Sequence, residues 1–67
     1  MFRIIREIYN FNGDKILNEY INVEELVKDV LDAQKRGLSI EITKDYVKYK
    51  SHFYVYIYYF AICEVLN

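Results

Sequence analysis

The sequence predicts an α+β domain: a small antiparallel sheet of four or five strands, ordered β-β-α-β-β with a possible extra strand, and one helix packed on one sheet face. Three observations carry that expectation. Two segments rich in Ile and aromatic residues flank Asn12-Gly13, the dipeptide most characteristic of a tight hairpin turn. A helix-start signal at Asn22 opens a segment of apolar residues at helical spacing that closes at Gly37. The segment from Phe53 to about Cys63 is aromatic and β-branched on both faces, which suits a central strand.

The first hairpin is expected to turn on two residues, Asn12-Gly13, in a type I′ geometry. Phe11 then faces Asp14, Tyr9 faces Ile16, Ile8 faces Leu17, Arg6 faces Glu19 and Ile4 faces Ile21. A three-residue loop would instead oppose Glu7 to Glu19, and like charges across a ladder destabilise it.

Asn22 is placed to cap the helix, with Glu25 three residues on as in a capping box and with Ile21 and Leu26 at the staple positions. The helix is expected from about Val23 to Arg36. Val23, Leu26, Val27, Val30 and Leu31 share one face to be buried. Glu24, Lys28, Asp29, Asp32, Lys35 and Arg36 occupy the other, with Glu24–Lys28 and Asp32–Arg36 as i,i+4 pairs. Gly37 stands at C′.

Beyond the helix, Leu38, Ile40 and Ile42 alternate with Ser39, Glu41 and Thr43, the period of a half-buried strand. The alternation slips at Lys44-Asp45, where a turn or bulge is expected, and Ser51-His52 reads as a second turn. In the last segment Val55, Ile57, Ala61 and Cys63 are expected beneath the helix. Tyr54, Tyr56, Tyr58 and Phe60, joined by Ile5, Tyr9 and Tyr20, are expected on the uncovered face.

A chain of 67 residues holds one domain, and at this length only ~60% of the unfolded surface is buried. Such chains commonly add disulfides, a metal or a partner subunit. With a single cysteine, Cys63, and a single histidine, His52, the first two are not expected. The lone thiol points to a reducing compartment, and cytoplasm is the expected location. The hydrophobic fraction of 54% and net charge of -1 argue against disorder and against a global pull toward nucleic acid or anionic membrane. No membrane segment is expected: the most apolar run, Phe53 to Leu66, is shorter than the ~20 residues a spanning helix needs and contains Glu64.

No catalytic residue, metal site or cofactor is expected. Ser51-His52 is more economically a turn than a nucleophile and base, which need a positioned partner. Two ligand-type side chains far apart in sequence do not make a structural zinc site. The helical carboxylates lie among lysines, without a calcium loop.

Two surfaces remain. Tyr54, Tyr56, Tyr58 and Phe60 are the candidate partner-binding residues, because tyrosine supplies stiff contact area with a polar tip and large exposed apolar patches mark interfaces. The stripe Lys44, Tyr46, Lys48, Lys50 interleaves basic and aromatic groups as single-strand nucleic-acid binders do. Its plainer reading is an exposed edge strand whose lysines deter sheet-to-sheet pairing.

The composition, dominated by Ile, Lys, Asn, Tyr and Phe, is that of an A+T-rich gene from a low-GC bacterium, plasmid or phage. A short sheet with one helix in so small a product, without active-site residues, resembles many phage-encoded inhibitors, including some anti-CRISPR proteins. That resemblance implies a non-catalytic module that covers a surface of a host protein. The expected partners are therefore another protein and a second copy of the chain, with single-stranded nucleic acid as the alternative.

Overall fold

The computed structural model describes residues 2–62, and Cys63 lies outside them. It shows a five-stranded antiparallel sheet and one helix, in the order β1 (Phe2–Asn10), β2 (Lys15–Ile21), α1 (Val23–Lys35), β3 (Ile40–Ile42), β4 (Tyr46–Lys50) and β5 (Tyr54–Ile62). Across the sheet the strands run β2-β1-β5-β4-β3. The last strand is thus central, as its two apolar faces suggest. Strand β4 is interior rather than an edge, so its lysines do not guard a free edge as one sequence reading supposed.

The first turn differs from the expected one. The Asn10 carbonyl accepts from the Gly13 amide at 3.1 Å and the Asn10 amide donates to the Asp14 carbonyl at 3.0 Å, closing the loop Phe11-Asn12-Gly13. The Asn10 side chain fixes this choice, its Oδ1 accepting from the amides of Asn12 and Asp14 at 3.0 Å each. Gly13 takes a φ of 88°, a value that costs other residues. Tyr9 accordingly faces Lys15, not Ile16, and the register shifts between Ile8 and Tyr9. That bulge restores the expected partners beyond it: Ile8 with Leu17, Arg6 with Glu19 and Ile4 with Ile21.

Asn22 caps the helix as expected, its side chain accepting from the Glu25 amide at 2.8 Å, and Gly37 follows the C-cap with a φ of 73°. The helix carries the chain from one edge strand to the other. Its 13 residues span ~20 Å, matching the ~19 Å width of four inter-strand spacings.

The two remaining hairpins share one device, a hydroxyl residue just before the turn. Thr43 Oγ1 accepts from the amides of Asp45 and Tyr46 at 3.1 and 3.0 Å. Ser51 Oγ accepts from those of Phe53 and Tyr54 at 3.4 and 3.2 Å. These hydroxyls place the turns near the positions where the sequence alternation breaks.

Ile4, Ala33, Val47, Tyr49 and Tyr58 form the core, with Ile21, Leu26, Val30, Leu38, Ile40, Tyr56 and Phe60 packed against it. Two expectations are corrected here. The helix buries Leu26, Val30 and Ala33 but leaves Val23, Val27 and Leu31 exposed. The faces of β5 are also inverted: Tyr56, Tyr58 and Phe60 pack on the helix side. Val55 and Ile57 therefore point away from the helix.

Candidate functional site

The inversion follows from cross-strand pairing, since residues opposite each other share a face. Tyr58 pairs with Arg6 on β1 and with Val47 on β4. Its phenol donates to Asp29 Oδ2 on the helix at 2.7 Å and lies 3.1 Å from the Tyr49 hydroxyl. Arg6 Nη1 donates to the same Asp29 oxygen at 3.0 Å, while Nη2 bonds Glu19 on β2. Burial, together with the bonds to Tyr49 and Asp29, pushes the Tyr58 phenol far above its ordinary range. Burial works against the charged form of Arg6, but the carboxylates of Glu19 and Asp29 prevail and raise it. A cation, a carboxylate and two neutral phenols are thereby locked between helix and sheet.

Of the four tyrosine-face residues, Tyr58 is fully buried and unable to meet a partner. Tyr56 stacks on Tyr49 with ring centroids 4.8 Å apart, and Phe60 is half-buried in the core's rim. Tyr54, 39% exposed, lies at the start of β5 beside Phe53.

No described element covers the other sheet face, and its residues fall into cross-strand rows. One row runs Tyr46, Tyr59, Ile5, Tyr20 across four strands. The next runs Glu41, Lys48, Ile57, Glu7, Asn18, and a third Lys50, Val55, Tyr9, Lys15. Tyr59 is 37% and Tyr20 64% exposed, and the rings of Tyr46 and Tyr59 lie 6.4 Å apart. On the open face β1 and β5 thus carry Ile5, Val55 and Ile57 together with Tyr59, Tyr9 and Glu7, while Tyr46, Lys48 and Lys50 lie on β4 and Lys15, Asn18 and Tyr20 on β2.

The acids on this face are already engaged. Glu7 accepts from Lys15 Nζ at 2.9 Å and from the Tyr9 hydroxyl at 2.8 Å. Burial opposes its charge, but those two bonds outweigh it and hold the Glu7 carboxyl below its usual range. Tyr46 donates to Glu41, which raises the Tyr46 phenol. The guanidinium of Arg3 sits 5.1 Å over the Tyr20 ring, and Lys15 Nζ 5.8 Å over Tyr9. Lys48 and Lys50 make no ion pair with any described residue.

The structure therefore brings three of the four stripe residues, Tyr46, Lys48 and Lys50, onto the open face, while Lys44 lies in the turn before β4. Ile5, Tyr9 and Tyr20 lie there as expected. Tyr59 is the residue that sequence reasoning missed: it shares a face with Val55 and Ile57, which were expected beneath the helix, so the local pattern did not place it on the open face. His52 is exposed in the β4–β5 turn, and no group of metal-type ligands occurs among the described residues. No helix among those residues is long and apolar enough to cross a membrane.

The fold and this surface define a class: an antiparallel sheet backed by one helix and open on its other face. Compared with protein-family models, curated proteins and solved structures, the chain shows no match.

Proposed function

We propose that the protein is a non-catalytic binding module that covers a surface of a protein partner with its open sheet face, as a small cytoplasmic inhibitor of the phage or mobile-element kind would. The observation that carries this reading is the row Tyr46, Tyr59, Ile5, Tyr20 beside Ile57 and Val55, with nothing described above it. Aliphatic and tyrosine side chains on the middle strands, with lysines on the flanking ones, match the composition of a protein interface. The anchor role moves from Tyr58, which the helix buries, to Tyr59.

A second reading, a single-stranded nucleic-acid platform, is favoured by the ammonium groups of Lys48 and Lys50, which pair with no described acid, beside Tyr46 and Tyr59. Bases stack on aromatic rings, and phosphates follow lysines.

Affinity capture with wild type and two variants separates them. Ile57→Asp replaces an aliphatic side chain of the central strand with a charge, whereas the double variant Lys48→Ala, Lys50→Ala removes only the cations of β4. A protein captured by wild type and by the lysine variant, but not by Ile57→Asp, supports the protein-binding reading. Oligonucleotide binding that weakens steeply with salt and needs both lysines overturns it, because counterion release marks phosphate contact.

A further inference from the structure

The helix carries more apolar surface than the sheet covers. Val23, Val27 and Leu31 are 57%, 49% and 52% exposed, and they recur every four residues to form one ridge. Ridges of that spacing interlock in the commonest class of helix packing. Glu24, Lys28, Asp32 and Lys35 line the same shallow surface as the ridge. In order they alternate in sign, negative, positive, negative, positive.

We propose that this helix surface pairs with its own copy, antiparallel, across a two-fold axis perpendicular to the helix. Such an axis reverses the order of the row against itself. Glu24 then faces Lys35 of the second copy, Lys28 faces Asp32, and the two reciprocal pairs follow by symmetry. Val27 meets Leu31 of the other copy at the centre, where their exposed methyl groups leave water. In a parallel two-fold pair the two charged rows would lie on opposite sides of the ridge and meet no complement, so the charge order favours the antiparallel arrangement. The pairing goes beyond the binding reading above and does not depend on it. The open sheet face lies on the far side of each sheet from the helix, so helix pairing leaves it uncovered in both copies.

The surface is a single helix face, so the expected association is reversible, with a dissociation constant on the order of micromolar. Sedimentation of the full chain across a dilution series measures it. Leu31→Asp puts a charge into the seam at a site exposed in the monomer; it is expected to give a monomer with an unchanged circular-dichroism spectrum. The decisive test uses Lys28→Glu and Asp32→Lys, each of which alone sets like charges across the seam and is expected to weaken self-association by about tenfold or more. Mixed together, the two variants match again at both positions, and association is expected to return as a heterodimer. A wild-type monomer at all concentrations, a dimer indifferent to Leu31→Asp, or a mixture that associates no better than either variant would overturn the proposal.

Discussion

Tyr58 on the central strand and Arg6 on its neighbour converge on one oxygen of Asp29, at 2.7 and 3.0 Å. They tie the helix to the sheet at the row where β1, β4 and β5 meet. The first prediction tests what this contact contributes to stability. Tyr58→Phe keeps the ring and removes the donor, leaving Asp29 to Arg6 and the Tyr49 hydroxyl without its partner. The expected loss is ~1–3 kcal/mol, read as a lower denaturant midpoint.

Arg6→Glu should cost more than the loss of one hydrogen bond. The new carboxylate would face Glu19 directly and stand beside Asp29 and Glu25, all of which Arg6 now contacts. Asn22→Ala, which removes the cap on the Glu25 amide, should cost ~1 kcal/mol. Denaturation of both variants, compared with wild type, orders the two effects.

Gly13→Ala tests the turn. A Cβ at Gly13 meets nothing within 4 Å, so the cost is conformational, about 1–2 kcal/mol for holding a left-handed φ. A neutral result in chemical denaturation would place the turn elsewhere.

The titrating groups predict opposite limits of stability. The phenols of Tyr58, Tyr49, Tyr9 and Tyr46 are raised above their ordinary 10.0 in the fold. The stability they contribute is therefore fully present below pH 10 and falls as pH rises beyond it, because the unfolded chain releases protons that the native phenols retain. Tyrosinate absorbance should show a class of tyrosines that ionise only as the chain unfolds, reduced in Tyr58→Phe. Glu7 works the other way. Its carboxyl is lowered from the ordinary 4.5, so its contribution is present above that value and is lost as pH falls through the native pKa.

On the open face, Tyr59→Ala should weaken partner binding by ~2 kcal/mol or more, as truncation of a central aromatic anchor does. Tyr54→Ala, on the other face, should leave it nearly unchanged. Calorimetric titration of the captured partner with each variant provides the comparison.

The sequence by itself determined the α+β order up to whether the chain between helix and last strand forms one strand or two, the helix and its cap, and the pairing of Arg6 with Glu19. Each is written in short-range chemistry: Asn22 three residues before Glu25, Gly37 after the last helical turn, an alternation that breaks after Thr43. It located the first turn but misread its geometry, because the Asn10 side chain, three residues before Gly13, set the loop and a bulge at Ile16 absorbed the difference.

Tertiary structure alone decided the faces. Tyr54 to Ala61 is apolar at odd and even positions alike, so the period of two has no amplitude there and local pattern cannot assign an inside. The register of β5 against β1 assigns it, by putting Tyr58 opposite Arg6 and beneath Asp29, partners 52 and 29 residues away in the chain. The same long-range choice left Val55, Ile57 and Tyr59 open. It also set the helix so that Leu26, Val30 and Ala33 were buried while Val23, Val27 and Leu31 stayed outside. Which apolar residues form core and which form surface is thus set by long-range pairing between strands and helix, with Asp29 bonded to both Arg6 and Tyr58 between the layers, a choice that local hydrophobicity could not encode.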